Sequence, residues 1–399
     1  MAKKKKTDKD IFNSLAEDFG GEIVANASPV PYYIDTGNLA MNFVCSGRFI
    51  TGGVPGGRII EFYGPPSSAK SLWGMSVLHG VQKIGGYPIL LDCENALNPE
   101  FAERAGHIDL NRFIRYTPET IERCFRKMIA VIKKIREVDQ DAPICIVYDS
   151  ITVSPCEREL RETDLPDEYT DAEYKKIVGA KEQPGERARQ AGNGLRKLTP
   201  ILEKYNATLF VINQTRMKIG VLYGSPETTG GGGNALPFYA SLRIRTSAQK
   251  HIESKSLKKA LGVNIKIANK KNRSNTPFIE IPTASAEGGI PLYFDRGIDP
   301  LGGLLIALIQ SGRVKPLKAG FYEVNKPWCG DKEIKFRAAL SKNVVPLDTL
   351  MECPALIDAE TPEQVQDYLA DFGEAIALSG SDETIEVDVE DENLDLSKG

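Results

Sequence analysis

Lys70-Ser71 stands at the end of a small-residue turn, Gly64-Pro65-Pro66-Ser67-Ser68-Ala69, and at the start of a helical stretch. An ammonium and a hydroxyl at that spacing suit a polyphosphate and its magnesium ion. The lysine neutralises charge near the β- and γ-phosphates, and the serine ligates Mg²⁺. Two carboxylates offer complementary chemistry. Asp149 closes the apolar run Ile144-Cys145-Ile146-Val147-Tyr148, where it would orient Mg²⁺ and its waters. Glu94, two residues past Asp92, is a candidate general base for a hydrolytic water. Taken alone, each has a plainer reading: a surface lysine after an ordinary strand-turn-helix, and a surface glutamate after a strand.

Chemistry of this kind needs rigid elements to hold it. The β-branched and aromatic run Ile59–Tyr63 predicts a buried strand, and Lys70–Gln82 a helix. Strand, turn and helix N-terminus together make an anion site, because backbone N–H groups converge there and the helix dipole favours negative charge. Further along, the pattern predicts strands at Tyr87–Asp92, Arg112–Tyr116, Ile144–Asp149 and Thr208–Asn213, and helices at Pro99–Gly106, Thr120–Glu137 and Glu186–Tyr205. Continuous apolar strands separated by helices predict an α/β fold with a mostly parallel sheet buried on both faces. Such sheets bind ligands beyond the carboxyl ends of their strands, where the turn at Gly64, Asp92–Glu94 and Asp149–Ser150 all fall.

Pro155–Pro184 is charged and shows no clear period, and Met217–Pro237 is glycine-rich. Strands are also expected at Leu242–Arg245, Val263–Ala268 and Phe278–Pro282. Near the start, Ile11, Phe12, Leu15, Ala16 and Phe19 form a helical stripe, and Glu22–Ala25 reads as a brief strand. So small a unit must pack on the main domain or on another subunit. The division expected is residues 1–35 as this helix-strand element, 36–298 as the core, 299–375 as a small C-terminal α/β lobe, and 376–399 as an acidic disordered tail.

The 399 residues are 41% hydrophobic and 26% charged, the composition of a soluble globular protein. A net charge of −4 conceals an asymmetry between Lys3-Lys4-Lys5-Lys6 and the acidic residues from Asp382 to Asp395. The lysine run reads either as a nucleic-acid or phosphate contact or as a solvated tip. Seven scattered cysteines without metal-ligand spacing predict reduced thiols in a cytoplasmic compartment. Neither a signal peptide nor an apolar run long enough to span a bilayer is evident, so no membrane partner is expected.

Specific motifs carry the reading further. Gly57 to Ser71, Leu91-Asp92-Cys93-Glu94-Asn95-Ala96-Leu97-Asn98-Pro99, Ile212-Asn213-Gln214-Thr215-Arg216-Met217-Lys218-Ile219-Gly220, Gly224 to Thr229, and Gly232-Gly233-Asn234-Ala235-Leu236-Pro237-Phe238-Tyr239-Ala240-Ser241-Leu242-Arg243 closely resemble the bacterial RecA recombinase family. The resemblance runs from about residue 10 to about residue 330. Divergence elsewhere resembles a phage-encoded relative of the UvsX kind, which would act in a bacterial host cytoplasm.

The resemblance implies a RecA-type ATPase core that uses ATP and Mg²⁺. Gly64, Pro65, Pro66, Ser67, Ser68, Ala69, Lys70 and Ser71 would cradle the phosphates. Ser71 and Asp149 would hold the metal, Glu94 would activate water, and Gln214 would sense the γ-phosphate. Phe101 would stack on adenine, while Lys271 and Arg273 would reach a neighbouring subunit's γ-phosphate. Arg187, Arg189 and Arg196 on the first DNA loop and its helix, and Arg216, Lys218, Gly232, Gly233 and Asn234 on the second, would hold DNA by its backbone. Without the resemblance, Arg189 and Arg196 read as solvated helix residues, Phe101 as core and Gly230–Gly233 as a flexible linker.

The activity implied is a DNA-dependent ATPase that forms helical filaments on single-stranded DNA and pairs it with homologous duplex DNA in recombination and repair. A mediator and a single-strand-binding protein are the further partners implied. The rival is a RecA-fold helicase-type motor or a non-catalytic DNA-binding assembly protein. Three positions depart from the family pattern: Ala69 stands for a glycine, Asn98 for an aspartate and Pro237 for a basic residue. The first loop region is also longer by roughly a dozen residues.

Overall fold

The computed structural model describes residues 8–19, 30–164, 170–178, 185–217, 227–230, 232–254, 259–281, 289–330, 332–338 and 344–372. The strand expected at Glu22–Ala25, Lys218 and the acidic tail lie outside the described residues.

A large mixed sheet forms the centre. Its main path runs Gly297–Ile298, Ile290–Tyr293, Lys259–Asn272, Leu242–Ser254, Ile59–Gly64, Ala207–Met217, Ile144–Asp149, Tyr87–Asp92 and Ile114–Tyr116. From Leu242–Ser254 to Ile114–Tyr116 every neighbouring pair is parallel, with Phe62 opposite Ile212 and Asp92 opposite Asp149. The first strands of the path pair antiparallel.

The parallel strands are apolar throughout because both faces are covered. Side chains alternate between faces along a strand. Ile60, Phe62, Leu90, Val147, Phe210 and Ile212 therefore pack with Trp73 on one side, while Ile59, Ile89, Leu91, Ile146, Tyr148 and Leu209 pack with Phe125 and Leu198 on the other. Each fully buried aromatic or aliphatic side chain is worth about 1.5–3 kcal/mol. The Phe62 and Phe210 rings, 4.5 Å apart, anchor the first face next to the phosphate turn.

The helices Lys70–Lys83, Pro99–Gly106, Ile121–Val138 and Glu186–Lys204 agree with the spacing to within a residue or two at their ends. Two regions differ from expectation. The short strands expected at Leu242–Arg245 and Val263–Ala268 are arms of one long antiparallel ladder, Leu242–Ser254 with Lys259–Asn272. The outer half of Leu242–Ser254, with Gln249, Lys250 and His251 exposed, is largely polar, so it lacks the continuous apolar run that marks a doubly buried strand. The aperiodic charged stretch contains helices Glu157–Arg161 and Asp171–Ile177. Beyond the main sheet, Val314–Pro316, Phe321–Val324 and Lys335–Arg337 form a three-stranded antiparallel sheet. Its neighbour, helix Leu304–Gln310, joins the core cluster with Leu39–Ser46, and the Asn38 amide ties the two regions by donating to Asp299 O and Gly302 O at 2.7 and 2.8 Å.

Candidate active site

The strand Ile59–Gly64 ends where no larger residue fits: a Cβ on Gly64 would lie 2.1 Å from the Thr246 carbonyl oxygen. The turn that follows holds Ser67 and Ala69 at φ 58° and 63°, the left-handed region that favours glycine. Ala69 thus occupies a strained conformation that glycine would adopt freely. Helix Lys70–Lys83 opens without a side-chain cap, so its first N–H groups are available to an anion in the turn. Lys70 Nζ folds back onto the turn and donates to the Pro65 carbonyl at 2.7 Å. Burial pulls the Lys70 pKa down, against the attraction of Asp149 and Glu94. A phosphate in the turn would give this ammonium a full countercharge and free the Pro65 carbonyl.

Asp149 lies at the end of the neighbouring apolar strand. Burial pushes its pKa up to about 6, a Ser71 hydrogen bond and Lys70 pull it down, and the charges of Glu94 and Asp92 add to the rise. Its Oδ1 is buried with no hydrogen-bond partner among the described residues. An orphaned carboxylate oxygen beside a serine hydroxyl is a donor set that fits Mg²⁺, a cation of hard oxygen ligands. The Asp149–Ser150 peptide is cis.

Glu94 is exposed, and its Oε1 accepts hydrogen bonds from Ser150 Oγ at 2.6 Å and Gln214 Nε2 at 3.3 Å. Asp92 has a structural task beside it. Its two oxygens accept from the N–H groups of Ala96 and Leu97, both at 3.2 Å, and Oδ2 also pairs with Arg115 at 2.7 Å. This carboxylate fixes the turn that presents Glu94. The same turn leads to Asn98, whose Oδ1 caps helix Pro99–Gly106 by accepting from Phe101 N at 3.1 Å. The Phe101 ring is 37% exposed, so a face remains for a ligand.

From Gln214 a polar chain runs through the sheet. Gln214 N donates to Thr152 Oγ1 at 3.1 Å, and Thr152 Oγ1 donates to Asn213 Oδ1 at 2.9 Å. Asn213 Nδ2 donates to Glu61 Oε1 at 2.9 Å, and the other Glu61 oxygen pairs with Arg243, whose guanidinium also lies over the Tyr63 ring. Glu61 is fully buried, so this pairing satisfies a charge that would otherwise be costly. Gln214 lies within strand Ala207–Met217, two residues before Arg216, where the second loop is expected to start. Its carbonyl accepts from Gly230 N at 2.7 Å, and Thr215 and Arg216 pair with Thr229 and Thr228.

Lys271 and Arg273 do not approach their own chain's phosphate turn. Lys271 Nζ donates to the carbonyls of Pro237 and Phe238 at 2.8 and 3.0 Å, and Arg273 Nη2 to Phe238 O at 3.2 Å. Arg273 N bonds Ser241 O, and Ser241 N bonds Ile59 O, which puts Arg273 level with the start of the Ile59–Gly64 strand, while Lys271 lies opposite Arg243 and so level with Glu61. The turn begins at Gly64, about 16 Å from the level of Arg273 and about 10 Å from that of Lys271 at ~3.3 Å per residue.

On helix Glu186–Lys204, Arg187 Nε contacts both oxygens of Glu159 at 2.6 and 2.8 Å, and Arg189 Nη2 both oxygens of Glu186 at 2.8 and 2.7 Å. Arg196 is exposed on the same helix. The two loop regions touch: a Cβ on Gly233 would lie 2.7 Å from the Ala188 Cβ, while Gly232 sits at φ 75° against Leu236 and Ile151. Asn234 is exposed at the start of helix Ala235–Tyr239.

Sequence reasoning assigned no role to Ser150, Thr152, Glu61 or Arg243. A signal existed for Glu61, a charge inside an apolar strand. The partners of Ser150 and Thr152 lie 56 and 61 residues away in the chain, beyond any local pattern.

Known proteins share this chain's pattern. The RecA N-terminal domain family matches residues 24–290. A protein RecA of Thermus thermophilus is 30% identical over 386 residues, covering 95% of this chain and 98% of its own length. Protein RecA of Mycoplasma mycoides is 34% identical over 259 residues, or 65% of this chain and 66% of its own length. That of Caulobacter vibrioides is 31% identical over 287 residues, or 72% and 70%.

Proposed function

This chain belongs to the RecA family, and from that premise we propose that it is a DNA-dependent ATPase that assembles into helical filaments on single-stranded DNA and catalyses homologous pairing and strand exchange. The observation that carries the reading is the contact of Glu94 with Gln214, whose strand leads into the second loop. One carboxylate, whose charge also acts on Lys70 of the nucleotide turn, is thereby tied to that strand.

In this reading ATP enters the turn Gly64–Ser71 with its phosphates on the helix N-terminus and Lys70. Ser71 and Asp149 would hold Mg²⁺, which when bound would neutralise charge on the phosphates. Phe101 stacks on the base. Glu94 takes a proton from the attacking water, and Ser150 and Gln214 hold it in line. Lys271 and Arg273 serve the nucleotide of an adjoining copy, which is supported by their distance from the turn of their own strand. Their release from Pro237 and Phe238 carries assembly to helix Ala235–Tyr239 and to Gly232, Gly233 and Asn234.

DNA is held through Arg187, Arg189, Arg196, Arg216 and Lys218, with contacts to phosphate that leave bases free to pair. The N-terminal helix Asp8–Phe19 exposes Phe12 and Phe19, a face suited to docking on the next protomer. The tail from Asp382 competes with DNA for basic surfaces. The reading includes a phage-encoded, UvsX-like position within the family, supported by Ala69, Asn98, Pro237 and the longer first loop region, and action in the host cytoplasm with a mediator and a single-strand-binding protein. Among the described residues no helix is long and apolar enough to cross a membrane.

The test is ATP hydrolysis measured with no DNA, single-stranded DNA and duplex DNA side by side, with filaments examined by electron microscopy. Strong stimulation by single strands together with ATP-dependent filaments is expected. Hydrolysis indifferent to DNA would overturn the reading.

A further inference from the structure

Cys93 and Cys124 place their sulfurs 3.5 Å apart, although 31 residues separate them in the chain. Cys93 is half-buried in the turn between Asp92 and Glu94, and its N–H donates to the Asp149 carbonyl at 2.7 Å. Cys124 is fully buried in the first turn of helix Ile121–Val138. Beside them the Tyr148 hydroxyl donates to Ser154 Oγ at 2.9 Å, and Ser154 reaches both sulfurs. The mechanism above uses neither thiol. One is accessible to a small oxidant, and the other is already in place to resolve the product.

We propose that Cys93 and Cys124 are a modification site for peroxides, and that the disulfide they form displaces Glu94 and halts hydrolysis. Cys93 Sγ attacks one oxygen of hydrogen peroxide and the O–O bond breaks. The departing hydroxide leaves with the thiol proton as water, so that Cys93 becomes a sulfenic acid. Cys124 Sγ then attacks Cys93 Sγ, the S–O bond breaks, and hydroxide leaves with the second thiol proton as water. Two thiols and one peroxide thus give one disulfide and two waters. A thiol reductant reverses the product by exchange, as in the transient disulfides that cytoplasmic proteins use for sensing.

The geometry gives the bond a consequence. A disulfide spans about 2.05 Å, so the sulfurs must close by about 1.5 Å. Cys124 is held within a helix of 18 residues, so closure falls on the shorter turn of Cys93 and pulls it against the Asp92 and Asp149 contacts that hold it. Glu94 follows directly, and its contacts with Ser150 at 2.6 Å and Gln214 at 3.3 Å do not survive such a shift. This consequence rests on Glu94 being the base; formation of the bond does not.

The test treats the full-length protein with hydrogen peroxide, blocks remaining thiols with iodoacetamide and maps the digest by mass spectrometry. A linked pair of peptides bearing Cys93 and Cys124 is expected, while the fully buried Cys45 and Cys145 stay reduced. Hydrolysis stimulated by single-stranded DNA falls by about tenfold or more, as a displacement of ~1 Å at a catalytic group can cause, and returns with dithiothreitol. Cys93→Ala keeps its activity through the same treatment. Cys124→Ala leaves a sulfenic acid at Cys93 that dimedone traps. Absence of the linked peptides, or Cys93 fully alkylated after peroxide, overturns the proposal. Linked peptides with undiminished hydrolysis overturn its catalytic half. A protein inactive before peroxide counts against the proposed ATPase activity, and the peptide map still decides the thiol pair.

Discussion

Gln214 and Glu94, 120 residues apart in the chain, meet at the carboxyl ends of two strands of one sheet, with Gln214 Nε2 3.3 Å from Glu94 Oε1. The contact joins a candidate base to the strand that leads into the second loop. Glu94→Gln retains the size of the side chain and removes the base. It should leave ATP and DNA binding intact and lower hydrolysis by about 10²–10⁴-fold. Single-turnover hydrolysis, with nucleotide binding measured in parallel, checks this; normal turnover would assign the base elsewhere.

Lys70 is buried against the turn and donates to Pro65 O. Lys70→Ala should remove the charge that phosphate needs. Saturating ATP, at about a hundred times Kd, should stabilise the unmodified protein by about 2.7 kcal/mol and the variant by almost nothing. Thermal melts with and without ATP and Mg²⁺ measure the difference, and ATP-dependent filaments should vanish with it.

Asp149 carries a pH signature. Burial raises its pKa from the ordinary 3.8 to about 6, so the native state holds this proton more tightly than the unfolded chain. Its contribution to stability is therefore full below about pH 4 and is lost as pH rises through 6. At ~1.4 kcal/mol per unit the loss is at most about 3 kcal/mol. Asp149→Asn, which stays neutral, should melt higher than the unsubstituted protein at pH 8 without nucleotide, and the gap should close toward pH 4. It should also abolish Mg²⁺-dependent hydrolysis. A gap that does not change with pH would contradict the raised value.

The position of Lys271 and Arg273 predicts activity shared between copies. A protein carrying Lys271→Ala and Arg273→Ala should be inactive alone, as should Lys70→Ala. Mixed together on single-stranded DNA they should regain part of the activity, because an intact turn on one copy meets an intact pair on the next. Failure of every mixing ratio would return the pair to a role within its own chain.

The arginines of helix Glu186–Lys204 should not be equal. Arg196→Ala should weaken single-stranded DNA binding and lower the salt-dependence slope by about 1. Arg189→Ala should cost less, since Arg189 must first leave the two oxygens of Glu186. Binding isotherms over a range of salt concentrations separate the two.

The parallel half of the sheet was legible because its strands are buried on both faces. Tyr87–Asp92 and Ile144–Asp149 stand at the expected residues, and Lys70, Glu94 and Asp149 fall where their ends converge. The long hairpin was legible only where Leu242, Ile244, Val263, Ile265 and Ile267 face the core; beyond them Gln249, Lys250 and His251 are polar and exposed and carry no apolar period. Helix Asp171–Ile177 carried a readable start, since Thr170 and Glu173 form a capping box. What no local pattern supplied was the partner of each polar group. The contacts of Glu94 with Ser150 and of Asn213 with Glu61 exist only because parallel pairing brings distant strand ends side by side.

The phosphate turn lies at one end of the Ile59–Gly64 strand and Arg273 is level with the other, and in the proposed filament that separation would give a row of copies a direction. Its two tips would be unlike: one would offer a bare cradle, the other a bare pair of cations. Nucleotide held at the first tip would have no neighbour to complete it, so it would turn over more slowly than nucleotide within the row. Growth and shrinkage at the two tips would then follow different clocks, and the lifetime of the whole polymer would be set by which tip is last to lose its ATP.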